Sequence, residues 1–140
     1  MGIFSKVREI FEKKPIESFK QFEEELSKLK DKNRYEIISL IGIGGRVKGL
    51  PLIYATDDDT SLKVYSAKLN ELFKMIQNLS DEKIFRDFTV NYDDSILFFK
   101  PIMSNIGFFA IINNKNDIMI IKQFIYNNEK LLRELFHEES

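Results

Sequence analysis

The sequence predicts an α/β (α+β) sandwich, in which a five-stranded and mainly antiparallel sheet carries helices on both faces, with an extra N-terminal helix ahead of it. Three observations carry that prediction. Apolar residues recur at helical spacing in three long segments, about 16–31, 60–79 and 117–136. Five short β-branched or aromatic runs lie between them, two before the middle helix and three after it. The runs within each group read as hairpins, so neighbouring strands run antiparallel and the helices cover the sheet.

Residues 3–13 place Ile3, Phe4, Val7, Ile10 and Phe11 on one narrow stripe, and Pro15 separates this stretch from the next. The boundaries that follow are an amphipathic helix over 1–14 and one domain over 16–137. In the first helix of that domain, Phe19, Phe22, Leu26 and Leu29 share a face. "YEIISLIGI" (35–43) is apolar almost throughout, as a central strand covered on both sides should be. "GLPLIYAT" (49–56) is the next strand, and Pro51, which lacks a ladder donor, favours an edge position.

The middle helix presents Leu62, Tyr65, Leu69, Leu72, Phe73, Ile76 and Leu79 as a wide stripe suited to lying on a sheet. "IFRDFTVNY", "SILFFKPI" and "GFFAIIN" follow as strands, with Asp93-Asp94 as a tight turn between the first two. The last helix opens with Asp117 as its N-cap and buries Ile121, Phe124, Ile125, Leu131, Leu132 and Leu135.

Composition narrows the function. A chain of 140 residues, 44% hydrophobic and 31% charged, is an ordinary globular domain. Lys and Arg number 21 against 22 Asp and Glu, so no global field gathers nucleic acid and no nucleic-acid partner is expected. There is no cysteine, hence no disulfide framework, thiolate nucleophile or thiolate zinc site. The single histidine, His137, excludes a multi-histidine metal site within one chain, and its place near the end argues against a catalytic role. No apolar run approaches the ~20 residues of a membrane span. "MGIFSKVREIF" lacks a signal-peptide core, and Lys6 stands where myristoylation wants Ser or Thr. These features lead to the expectation of a cytoplasmic protein.

"IGIGGRVKGLPLIYATDDD" (41–59) is the stretch most like a catalytic or ligand loop. A phosphate-binding loop needs GxxxxGK[ST] between a strand and a helix; here Gly49 replaces the Ser/Thr after Lys48 and a strand follows. The dinucleotide pattern GxGxxG fails at its third glycine. The turn reading therefore outweighs the phosphate reading. Asp57, Asp58 and Asp59 precede the middle helix, where carboxylates cap it and oppose its dipole; EF-hand ligand spacing is missing. The thirteen Phe, among them Phe85, Phe88, Phe98, Phe99, Phe108 and Phe109, sit among Ile and Leu at strand positions and read as core rather than as a base-stacking platform. No enzyme site, cofactor or metal is expected from these residues.

The middle helix has a second, narrower feature. Val64 and Met75, eleven residues apart, lie about 20° apart around the helix and flank Lys68 and Glu71. They are either scattered exposed apolar residues or a seam for a partner helix.

Three segments carry a resemblance to the roadblock/dynein light chain family. "KGLPLIYATD" looks like its second strand, "SILFFKPI" like its fourth, and "GFFAIINNKNDIMIIKQF" like its fifth strand, turn and last helix. The likeness covers about residues 17–136. Two features depart from it: the N-terminal helix lies outside the family core, and Lys48 stands where an acidic turn residue is usual. The resemblance implies a roadblock/longin-like sandwich with sheet order 2-1-5-4-3, the middle helix on one face and the first and last helices on the other. It implies a non-catalytic scaffold or regulator that binds a Ras-like small GTPase and modulates its GTP hydrolysis in some members. A small-molecule sensor domain and an adaptor subunit of dynein or membrane complexes are the alternatives.

The resemblance also implies a dimer, with itself or with a sister roadblock subunit. Carried onto this chain, middle helices would pack antiparallel through Val64, Lys68, Glu71 and Met75, with Phe88 and Val90 near an edge-to-edge strand pairing. The N-terminal stripe Ile3, Phe4, Val7, Ile10 and Phe11 carries Lys6, Arg8, Lys13 and Lys14 against Glu9 and Glu12, a net of 4 − 2 = +2. Docking of that stripe on protein is the expectation, and weak membrane contact is the runner-up, because the charge is small and no second anchor is present.

Overall fold

Phe19, Phe22 and Leu26 return every three or four residues and are fully buried, which gives helix α1 (Ile16–Asn33) one sheet-facing side. The computed structural model describes residues 16–136. Arg34 ends α1 in the left-handed region at φ 58°, a conformation more usual for glycine, and the Tyr35 N–H closes a 3.1 Å bond back to the Lys30 carbonyl. The chain then enters β1 (Ile37–Gly42), which is buried at all six positions. β2 (Pro51–Thr56), α2 (Asp59–Gln77), β3 (Phe88–Asn91), β4 (Ile96–Met103), β5 (Ile106–Ile112), α3 (Asn116–Asn127) and α4 (Glu129–Leu135) follow.

The sheet order is β2-β1-β5-β4-β3, and every pairing between strands is antiparallel. β1 and β5 hold the centre because Ile, Leu and Phe occupy both of their faces. Pro51 sits on an edge strand, where its missing N–H costs no ladder bond, and the β1–β2 register shifts between Leu40 and Ile41 beside it. Two apolar layers sandwich the sheet. Phe19, Phe22 and Leu26 of α1 join Ile121, Ile125, Leu132 and Leu135 over Ile38, Leu40, Phe98 and Phe108 on one face. Leu62, Leu69 and Phe73 of α2 cover Ile41, Phe99, Phe109 and Ile111 on the other. The sandwich and strand order agree with the sequence reading.

The glycines of residues 41–49 shape the link between β1 and β2. A Cβ on Gly42 would lie 1.8 Å from the Val47 carbonyl oxygen, and Gly49 occupies φ 79°, so both positions exclude side chains. Gly42 exchanges backbone bonds with Leu50 and Gly49, each 2.8 Å, which closes the loop around a 3-10 turn at Gly45–Val47.

Four local expectations are corrected. β3 starts at Phe88 rather than Ile84; Phe85 leaves the strand, and its ring lies 5.6 Å from Phe73 and 6.0 Å from Phe88. α2 stops at Gln77, so Leu79 falls beyond the helix and is 81% exposed instead of joining the buried stripe. The last helix is two helices. Asn128 ends α3 by donating its side-chain amide to the Phe124 carbonyl at 2.9 Å, a local bond that competes with helix continuation. Asp117 is not the N-cap: it lies inside the first turn of α3, and its Oδ2 accepts from the N–H groups of Asn113 and Asn114 at 3.2 and 3.0 Å.

Candidate protein interface on the middle helix and the β3 edge

The outward face of α2 is defined by what its inward face uses. Leu62, Ser66, Leu69, Asn70 and Phe73 are buried, and Ser66 returns its hydroxyl to the Leu62 carbonyl at 2.7 Å. Asp58 caps the helix, accepting from the Ser61 N–H at 3.1 Å and the Ser61 hydroxyl at 2.8 Å. These bonds, the backbone one foremost, hold the Asp58 carboxyl below its ordinary range. Of the neighbouring acids, Asp57 turns instead to α1 and pairs with Lys30 at 2.7 Å.

Val64, Lys68, Glu71 and Met75 remain outside. All four are exposed, Val64 by 49% and Met75 by 68%. The two ends of this row are apolar and its middle carries one positive and one negative charge. Beside the row, Lys48 of the β1–β2 loop touches Lys74. That contact, followed by burial and like charge, lowers the Lys74 ammonium below the ordinary lysine range.

β3 forms the opposite edge of the sheet from β2 and, among the described residues, has one paired neighbour, β4. Its Phe88 and Val90 are half-buried and pack with the α2-side layer. Phe88 stacks on Phe99 at 5.2 Å, and Phe99 meets Phe73 of α2 at 5.6 Å. One aromatic cluster thus joins the middle helix to the edge strand, so the two features lie on one rigid unit. The strand's contribution at the edge is its backbone, while Phe88 and Val90 mainly hold it in place. Ile3, Phe4, Val7, Ile10 and Phe11 lie outside the described residues.

Leu79 and Ile84 are exposed where the sequence reading places one on a buried stripe and the other in a strand. Ile84 is 91% exposed and Leu79 81%. The helix end at Asn78, followed by "LSDEK", was the available signal for both. Among the described residues no group of three or more His, Asp or Glu could hold a metal ion. No described helix is long and apolar enough to cross a membrane.

No protein-family model and no curated protein matches the chain. Solved structures do. A structure of MglB with a tetrameric arrangement superposes with a TM-score of 0.68 at 12% identity, covering 84% of this chain and 90% of that one. The gliding protein MglB from Thermus thermophilus gives 0.68 at 12% identity, covering 86% and 93%. A Roadblock/LC7 domain from Streptomyces avermitilis gives 0.61 at 16%, covering 77% and 94%. The chain has the roadblock fold.

Proposed function

We propose that this chain is a non-catalytic regulator or scaffold that acts as a dimer and binds a Ras-like small GTPase in the cytoplasm. The observation that carries the reading is the exposed row Val64, Lys68, Glu71 and Met75 on α2, braced through Phe73, Phe99 and Phe88 to a strand with an unpaired edge. An apolar-ended row beside an open strand edge is a surface built for a second copy or a sister roadblock subunit. The roadblock fold supports the GTPase as the further partner, and the tetrameric arrangement of the similar MglB supports self-assembly as a property of the fold.

Titration of the purified chain with Ras-like GTPases, each loaded with GTP or with GDP, tests the reading. Saturable binding that differs between the two nucleotide states supports it. Absence of binding across the GTPases of the native cell, together with a small molecule retained through native mass spectrometry, would replace it with a sensor domain.

A further inference from the structure

A groove of about 390 Å³ opens beside the β4–β5 turn. Its walls come from both apolar layers: Phe73 and Phe85 belong to the α2 side of the sheet, and Met103 to the α1 side. A bulge brings them together. The β4–β5 register shifts between Pro101 and Met103, which turns Met103 off the face that carries Phe99. Phe85 lies outside any helix or strand, yet its ring is held 5.6 Å from Phe73, 6.0 Å from Phe88 and 6.5 Å from Phe99. The concavity is therefore formed before anything enters it. Single exposed apolar residues are ordinary, but apolar surface gathered in a preformed hollow marks a place where something packs.

Charge narrows the occupant. Among the described residues that line the groove, Lys83 alone is charged, and no ion pair with another described residue holds it. An apolar hollow with one unmatched cation at its wall suits an apolar group that carries a negative charge. Asp81 and Glu82 precede Lys83 and are exposed, but they stay outside the lining. They repel a run of acids on the approach, so the fitting partner brings a single carboxylate. Extent narrows it further. Ile84 and Leu79 are almost fully exposed, Ile84 at the groove and Leu79 two residues past the lining Gln77. Apolar surface thus continues beyond the hollow, and a polypeptide running out of it covers more of that surface than a metabolite confined within.

We propose that this groove is a docking site for a short segment of a partner protein, one that carries a large aromatic or aliphatic side chain beside a carboxylate. The apolar side chain anchors between Phe73, Phe85 and Met103, as buried anchors do at protein interfaces. The carboxylate meets Lys83, and the Gln77 amide serves the segment's backbone as donor and acceptor. The site shares no residue with the row Val64, Lys68, Glu71 and Met75, and no GTPase chemistry enters it, so it does not depend on the GTPase reading.

Three blocked dipeptides test the chemistry directly: N-acetyl-Phe-Glu-amide, N-acetyl-Phe-Gln-amide and N-acetyl-Phe-Lys-amide, each titrated into the isotope-labelled full chain and followed by amide NMR. The Glu probe should shift the signals of Gln77, Phe85 and Ser104 saturably. The Gln probe should bind about two- to fivefold more weakly, the range for one exposed ion pair, and the Lys probe least of all. Lys83→Ala should remove the preference for Glu over Gln, and Lys83→Glu should reverse the order in favour of Lys. Lys83 is exposed, so both variants should keep the wild-type spectrum elsewhere. No saturable shift by about 10 mM, shifts centred on other residues, or equal affinity for the Glu and Gln probes would overturn the proposal. So would a small amphiphilic acid that is retained through native mass spectrometry and competes with the Glu probe for the same signals, because a metabolite would then be the occupant.

Discussion

Tyr35 donates its hydroxyl to Oδ1 of Asp117 at 3.1 Å, and both residues are buried. Eighty-two positions apart in sequence, they tie the end of α1 to the start of α3. The other carboxylate oxygen takes the N–H groups of Asn113 and Asn114. Asn113 in turn donates its amide to the Asn33 carbonyl at 2.9 Å. Among the described residues the partners of Asp117 are all neutral donors, which compensate the burial of the carboxylate.

Tyr35→Phe should therefore destabilise the domain by about 1.5–3 kcal/mol, the range for a hydrogen bond to a charged group. The loss should appear as a lower urea midpoint with an unchanged slope. Burial, then the Asp117 charge, raises the Tyr35 phenol above its ordinary value. A raised acid contributes stability that is fully present below the unfolded pKa of about 10 and is lost as pH climbs towards the folded value. The gap between wild type and Tyr35→Phe should thus narrow above pH ~10. A gap that stays constant through the alkaline range would contradict this role.

Asp58 works at the other end of the pH scale. Its carboxyl is lowered by the Ser61 bonds, so its contribution is present above the unfolded carboxylate range, about 3.9, and disappears as pH falls through the folded value. Asp58→Asn keeps a capping oxygen but loses the charge that opposes the helix dipole. Melting temperatures should show the variant slightly below wild type at neutral pH and level with it in strong acid. A difference that persists or grows in acid would show that geometry, not charge, sets the cap.

Val64→Glu and Met75→Glu test the α2 row. Both side chains are exposed in the single chain, so each substitution should change monomer stability by no more than about 0.5 kcal/mol. Buried in a dimer seam, the same carboxylates would lack partners and disfavour association. Light scattering at micromolar concentration should report a dimer for the wild type and a monomer for either variant. A wild-type monomer would remove the interface altogether.

Much of the architecture was legible because it is periodic. Phe19, Phe22 and Leu26 announce α1 by spacing alone, and the run 37–42, apolar but for Ser39, reads as a strand covered on both faces. What escaped was decided by single side chains acting locally. Nothing in the pattern around Asn128 shows that its amide would fold back and divide the last helix, and Phe85 looks like strand until Phe73 recruits it. Asp117 resembled a cap because its acceptor role is real, but its donors precede the helix instead of lying within it. The α2 row was visible as a feature, since Val64 and Met75 fall off the main stripe, whereas its bracing to β3 depends on ring contacts between distant positions.

The two rims of the sheet are unlike, and that asymmetry bears on how large an assembly can grow. β2 begins with a proline, and its far end is clipped to α1 by Lys30 and Asp57, whereas β3 is short and has one strand neighbour. If β3 meets β3 of a second copy across a two-fold axis, each molecule spends its receptive rim on the other. The outer boundaries of the joined sheet are then two β2 strands, each opening with a residue that has no N–H to offer. Such a contact is self-complementary and closes on itself, so strand pairing would stop at two copies instead of propagating into a fibre.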